Sequence, residues 1–293
     1  TFAGMYFGEF IEKYGEEVVC WKSSSLDRFP VLIKFIDAKN ALSIQIHPDD
    51  DYALENENEF GKNEMWYVVD CEPGAYLYCG LKQDSSKEEI RERIENNTIT
   101  EILNKIEVHK GDCVMVKAGT IHAIGAGILI CEIQQNSNCT YRMYDYDRRD
   151  KFGNRRELHI SKAIDVVDVK KYKPFVSGNS DVPEGAELLV SCKYFECYKY
   201  VLGESVYTDD SSDKDICNND DGNSDIVVKP ATDRINISVD TMSFRSIIVI
   251  EGSGKITVGE NEMDYRAGDS FFVTAGEKVV SVEGTRVIIV TKV

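Results

Sequence analysis

Histidine is scarce in this sequence: there are four in 293 residues, and none lies beyond His159. Any imidazole chemistry is therefore confined to the first half of the chain. No apolar run approaches the ~20 residues needed to cross a bilayer as a helix. No secretory pattern opens the chain, and its first residue is threonine rather than methionine, which leaves room for upstream residues. The nine cysteines form no Cys-x-x-Cys pair. Cys113 and Cys131 fall in apolar, strand-like runs where a thiol serves as a small hydrophobe. A disulfide scaffold is thereby disfavoured, and the expected compartment is the reducing cytoplasm. Positive charge is also short, since 34 Lys and Arg stand against 51 Asp and Glu, a net charge of −17. Nucleic acid and acidic membranes recruit basic surfaces, so neither is an expected partner. A small anionic substrate needs only a few cations held locally.

What is present is the composition of an ordinary globular protein, 42% hydrophobic and 29% charged, long enough for one large domain or two smaller ones. Apolar residues at helical spacing mark 5–19, and a charged patch over 86–106 with Ile and Leu on one side reads as a helical surface insertion. Strand-like runs dominate elsewhere: 30–38, 41–47, 65–70, 75–81, 113–116, 128–135, 187–202 and 235–240. Many short strands separated by Gly and Asp turns predict a barrel or sandwich. An internal repeat sharpens this. Gly111-Asp112, Lys117-Ala118-Gly119 and His122 align with Gly268-Asp269, Thr274-Ala275-Gly276 and Val279 at a constant offset of 157. Two related β modules follow, the second without the histidine. The segment 205–234 holds eight aspartates and reads as a loose acidic loop. It is not a calcium loop, because Cys217 and Val228 would occupy the first and last ligand positions.

The segment Leu42 to Asp70 poses the functional question. In an extended chain Ser43, Gln45 and His47 project to one face while Ile44 and Ile46 project to the other. After a loop rich in acids and asparagines, Glu64 follows in an apolar setting. With His122 these residues offer two imidazoles, a carboxylate and an amide, a sufficient set for a catalytic zinc with an open position. By spacing alone they equally suit satisfied core histidines and a capping glutamate.

Four motifs in order then carry a resemblance: QIHPDD at 45–50, GKNEMWYVVD at 61–70, GDCVMVKAGTIHAIGAG at 111–127 and EIQQNSNCTYRMYDYDR at 132–148. From about Phe29 to about Lys162 the chain resembles the type I mannose-6-phosphate isomerases, a zinc-dependent branch of the cupin superfamily, especially their shorter bacterial form. The resemblance implies a mainly β fold of two cupin-like β-barrel (jelly-roll) modules, with a few helices inserted in or flanking the first. A catalytic domain over 1–183 and a degenerate second cupin-like domain over 184–293 are the boundaries expected. It further implies one zinc per chain held by Gln45, His47, Glu64 and His122, with Lys62 and Arg142 in the active site and Lys34 and Ser43 near a substrate phosphate. Local sequence also allows Lys34 as a snorkelling strand-end lysine, Ser43 as a satisfied strand serine and Arg142 as a surface ion pair.

The sequence departs from the family at Lys117, which stands where proline usually precedes A-G-T, and at Gly61, where longer members carry histidine. Family members also have a strand region with a Trp-Gly-Gly motif before the segment with which this sequence opens. The activity implied is interconversion of mannose 6-phosphate and fructose 6-phosphate through a cis-enediolate. A metal acts there as Lewis acid, and Arg142 and Lys62 add positive charge near the anionic sugar. The proton-transfer base is left between a metal-bound water and a neutral Lys62. Other readings are a non-catalytic metal-binding cupin that holds a sugar phosphate, an inactive N-terminally shortened isomerase, and a cupin oxygenase with Fe(II) on the same ligands. Lys34, Lys62 and Arg142 weigh against the last, which needs no cationic clamp.

Overall fold

The computed structural model describes residues 4–19, 28–177, 181–203, 206–209, 226–229, 233–276 and 278–293. It separates into two compact units, one of Arg28–Ser177 and one that joins Thr1–Asp27 to Gly178–Val293. The N-terminal segment groups with the C-terminal part of the chain and not with Arg28–Ser177. Helix α1 (Phe7–Val18) explains why. The carbonyl of Val18 accepts from Ala275 N at 2.8 Å and that of Val19 from Phe244 N at 3.0 Å. Phe7 and Phe10 set their rings against Phe272 at 5.1 and 6.5 Å. The apolar side of α1 is thus spent on the C-terminal strands.

The first unit contains β1 (Val31–Ala38), β2 (Ile44–Ile46), α2 (Asp50–Glu57), β3 (Glu64–Cys71), β4 (Tyr76–Leu81), α3 (Lys87–Glu95), β5 (Leu103–Glu107), β6 (Cys113–Val116), β7 (His122–Ile124), β8 (Ile128–Gln135), β9 (Tyr141–Tyr144) and α4 (Ile160–Val166). They build a four-stranded sheet in the order β1-β8-β3-β6 and a five-stranded sheet in the order β5-β4-β7-β2-β9. The two sheets pack face to face as a cupin-like sandwich. Trp66, Val68, Val116 and Ile130 of one sheet share a core with Leu77, Cys79 and Ile124 of the other. The outer face of the five-stranded sheet is covered by the helices, where Ile44, Ile46, Ala123, Tyr141 and Met143 pack with Ile90, Ile94, Ala163 and Ile164.

This double layer settles what the alternation in β2 accomplishes. Ile44 and Ile46 feed the helix-side core, so Gln45 must face the space between the sheets. By the same rule His122 and Ile124 face inward while Ala123 faces the helices.

Two segments differ from their sequence reading. The acid-rich stretch after His47 is not a loop throughout: Asp49 caps α2 by accepting from Tyr52 N at 3.0 Å, and Asp50 and Asp51 sit in its first turn, where negative charge favours a helix. The patch over 86–106 is α-helical only to Glu95, with a 3₁₀ turn following at Ile99–Glu101. Asn97 turns left-handed at φ 58°, and Leu103–Glu107 then joins the sheet beside β4. Nor is α3 a mere surface insertion, because Ile90 and Ile94 are buried in the helix-side core.

The second unit contains β10 (Ala186–Ser191), β11 (Glu196–Leu202), β12 (Val206–Asp209), β13 (Ile226–Lys229), β14 (Arg234–Val239), β15 (Arg245–Val249), β16 (Ser253–Val258), β17 (Asn261–Arg266), β18 (Ser270–Val273) and β19 (Lys278–Lys292). Within the acidic segment 205–234, β12 and β13 pair antiparallel, and the intervening residues 210–225 lie outside the described residues. The repeat holds at the level of atoms. Gly111 and Gly268 adopt φ 96° and 90°, and their N–H groups donate to Val68 and Val249 at 2.8 and 2.9 Å. Asp112 and Asp269 each accept the backbone N–H three residues before them, at 2.7 and 2.9 Å. Strands β6 and β18 occupy the same positions after these turns. A hydrophobic cluster in the second unit is formed by residues such as Tyr200, Leu202, Ile237, Val249, Ile256 and Val282. Val279, the counterpart of His122, is 53% exposed.

Among the described residues no helix is long and apolar enough to cross a membrane. The turn leading into β3 is tight: Gly61 donates its N–H to Asp50 Oδ1 at 3.0 Å, and Lys62 N donates to Pro48 O at 3.0 Å. A Cβ on Gly61 would overlap the Asp49–Asp50 peptide. Gly61→Ala is expected to displace the turn that carries Lys62 and Glu64, costing about 1–3 kcal/mol by overpacking. Thermal unfolding checks this, with a fall in Tm of several degrees expected.

Candidate metal centre

Three strands deliver the site. His47 follows directly on β2, Glu64 opens β3 and His122 opens β7. Gln45 lies directly opposite His122 in register on one side and opposite Arg142 of β9 on the other. The side-chain donor atoms of His47, Glu64 and His122 all lie within 4.8 Å of one another, and all three residues are buried. Glu64 is completely buried, with Oε2 3.4 Å from His47 Nε2 and Oε1 3.4 Å from His122 Nε2. The two imidazoles tilt at 45° with centroids 4.7 Å apart, and Trp66 sets its indole edge to face on His122 at 5.4 Å.

Backbone contacts fix the ring orientations. His47 Nδ1 lies 2.9 Å from Cys139 O and His122 Nδ1 lies 2.8 Å from Thr120 O. A carbonyl only accepts, so each Nδ1 is the donor, and each Nε2 of a neutral ring carries its lone pair toward Glu64. Burial, with His47 alongside, pushes His122 down to about 3, which keeps its ring neutral. Burial would raise the Glu64 carboxyl, but His47, Lys62 and His122 outweigh it and hold the group well below the usual carboxylate range. Glu64 Oε1 and His122 Nε2 are buried without a hydrogen-bond partner. Two orphaned donors aimed at one point, with an anchored imidazole behind, fit a divalent cation.

Lys62 is buried beside them, its Nζ 2.5 Å from Glu64 Oε2 and 3.2 Å from His47 Nε2. Its ammonium supplies positive charge to a carboxylate wholly removed from water. Arg142 faces the same interior from β9, since Tyr141 and Met143 on either side of it enter the helix-side core. Its Nη1 donates to Glu157 O at 2.8 Å and its Nε is buried without a partner. Burial, reinforced by Arg156, lowers its affinity for the proton. Ser43 is buried just before β2. Lys34 stands on β1 and bonds to β8, with Nζ 2.9 Å from Glu132 Oε1 and also against Gln134 Oε1. The structure therefore gathers His47, Glu64, His122 and Lys62 directly. Gln45 and Arg142 share a sheet with His122, and Lys34 stands on the other sheet, the one that carries Glu64.

Several contributors escaped the sequence reading. Glu132 lies on the inner face of β8 and accepts the Trp66 indole N–H at 3.1 Å as well as Lys34. Asn63, between Lys62 and Glu64, accepts from Ala118 N at 3.0 Å and donates through N and Nδ2 to Gln135 Oε1 at 2.9 and 2.8 Å. With Gly119 N donating to His47 O at 2.8 Å, it ties the three ligand segments together. Lys117 does not prevent this turn, which closes through Thr120 N to Lys117 O at 3.1 Å, with Gly119 supplying φ 82°. The inward polar positions of β8, Glu132 and Gln134, were accessible from alternation along ILICEIQQ, whose other inward positions are isoleucines.

Comparison with known proteins bears on this arrangement. The family model described as phosphomannose isomerase type I, catalytic domain, matches residues 3–71, and that described as mannose-6-phosphate isomerase, cupin domain, matches 233–293. Mannose-6-phosphate isomerase ManA of Bacillus subtilis (strain 168) is 37% identical over 261 residues, covering 88% of this chain and 73% of the relative. The chain belongs to the type I phosphomannose isomerase family. The mannose-6-phosphate isomerase of Streptococcus mutans is 36% identical over 91% of this chain and 75% of its own length. Among solved structures, the mannose 6-phosphate isomerase from Bacillus subtilis superposes with a TM-score of 0.78 at 32% identity, covering 97% of this chain and 81% of the other. A phosphomannose isomerase from Salmonella typhimurium, at 13% identity and TM-score 0.72 over 98% of this chain and 85% of its own, shares the fold.

His122→Ala is expected to abolish tight binding of a divalent cation while leaving a folded protein, because the change removes one of the two imidazoles in the cluster. Metal analysis after dialysis checks this; a full equivalent of bound metal in the variant would remove His122 from the ligand set.

Proposed function

We propose that this protein interconverts D-mannose 6-phosphate and D-fructose 6-phosphate, with one zinc ion held by Gln45, His47, Glu64 and His122. The observation that carries the reading is the buried cluster of two imidazoles and a carboxylate, with orphaned Glu64 Oε1 and His122 Nε2, in a member of this family. A zinc ion there would supply Lewis acidity to the oxyanion that develops when the C2 proton of the open-chain aldose is removed, before a proton is returned to C1.

The chain's own residues do the rest. Arg142 presents a guanidinium with a buried, unpartnered Nε, suited to an oxygen pair on the anionic sugar or on its enediolate. Lys62, the cation beside Glu64, places a second positive charge next to that oxyanion. Lys34 and Ser43 receive the phosphate end. Glu64 is committed to the metal by its buried, charge-compensated position and is unsuited to move the substrate proton. That leaves the base as a water in the site, or as Lys62 only in its deprotonated form, in which it would no longer supply the second positive charge. The reading includes a cytoplasmic location, suited to thiols kept reduced.

A coupled assay that follows fructose 6-phosphate formed from mannose 6-phosphate tests the activity; no turnover by zinc-loaded protein would refute it. Arg142→Lys, which keeps the charge but loses the planar fork, is expected to keep its zinc and its Tm. Its kcat should fall by about 10²-fold, the scale of losing one preorganised donor to a developing oxyanion. A rise in KM with kcat unchanged would instead assign Arg142 to ground-state binding.

A further inference from the structure

The inner face of β8 changes character along its length, from Ile128 and Ile130 in the apolar core to Glu132 and Gln134 at the polar end. Gln134 is completely buried, an unusual place for a side-chain amide. Its conformation is fully specified. Nε2 donates to Gln135 O at 2.7 Å and to Ser137 O at 2.9 Å, so both amide hydrogens are used on backbone carbonyls. Oε1 can only accept, and it is turned onto Lys34 Nζ. Glu132 is fixed in parallel: Oε2 holds the Trp66 indole N–H at 3.1 Å and Oε1 holds Lys34 Nζ at 2.9 Å.

The Lys34 side chain is still 37% exposed, while its carboxylate partner is 4% exposed. A flexible four-carbon stem would ordinarily let the ammonium wander. Here two buried acceptors hold it from behind. An ammonium has three donors, so the pair leaves one for a ligand reaching it from the open side. Gln134 also pairs in register with Glu64 across β3, which gives the arrangement a fixed relation to the metal ligands.

We propose that Gln134 is a positioning residue for substrate binding, setting Lys34 Nζ to meet the anionic end of the sugar phosphate. This rests on the assignment of Lys34 to that end of the substrate. Glu132 supplies charge balance, and Gln134 supplies direction without adding a second negative charge that would cancel the cation.

The test is a double-mutant cycle read in KM on zinc-loaded protein, using Gln134→Met, Lys34→Met and the combination. Gln134→Met is expected to raise KM for mannose 6-phosphate by about tenfold, one lost contact to a charged group, with kcat within about twofold and zinc content unchanged. Its Tm should fall by a few degrees, because two carbonyls lose their donor. In the Lys34→Met background the same change should leave KM within about twofold while the Tm still falls. Equal increases of KM in both backgrounds, or a lowered Tm with unchanged KM in the single variant, would overturn the proposal and leave Gln134 a structural amide. Should Gln134→Met not fold, Gln134→Asn keeps an amide near the carbonyls but is one carbon too short to reach Lys34, and the same pattern is expected. Loss of turnover in the wild-type reference would instead mark failure of the isomerase reading itself.

Discussion

A carboxylate with no exposure to water governs the first unit. Glu64 costs several kcal/mol to desolvate unless positive charge or a metal compensates it, and breaking a buried charge pair costs about 3–5 kcal/mol. Every local feature answers that demand. Lys62 arrives two residues earlier on the turn that only glycine at 61 allows. His47 and His122 turn Nε2 toward Glu64, each ring anchored through Nδ1 on a backbone carbonyl. Asn63 and Gly119 then bind the segments that carry these groups into one frame.

The sandwich makes such a charge tolerable by dividing its interior. One end is filled by Trp66, Val68, Leu77, Ile124 and Ile130, which excludes water and lowers the local dielectric. At the other end inward positions of β1, β2, β3, β7 and β8 are polar: Lys34, Gln45, Glu64, His122, Glu132 and Gln134. Electrostatic groups in that setting act more strongly than in water. The second unit uses the same turn geometry at Gly268 and Asp269, around a cluster of apolar residues such as Leu202, Ile237 and Val282.

Most of the strands and the ligand face were legible because β structure writes its faces with period two. Ile44 and Ile46 against Gln45 and His47 signal a two-sided strand from the alternation alone. The repeat of 157 likewise survives as paired glycine turns. What sequence could not supply was pairing over long separations. Glu132 meets Lys34 across 98 residues, and only the register of β1 on β8 brings them together. Helix α1 was correctly read as a helix, yet its companions lie more than 200 residues away. The acidic run after His47 concealed a short helix because its turn-favouring residues also make good caps.

The central claim is that one divalent cation completes the Glu64 cluster and that turnover depends on it. Zinc titrated into chelator-stripped wild-type protein, with fructose 6-phosphate formation measured at each addition, tests it most directly. Turnover should rise in proportion to bound zinc and level off at about one equivalent per chain. Full turnover in stripped protein, or activity that needs a second equivalent, would contradict the account.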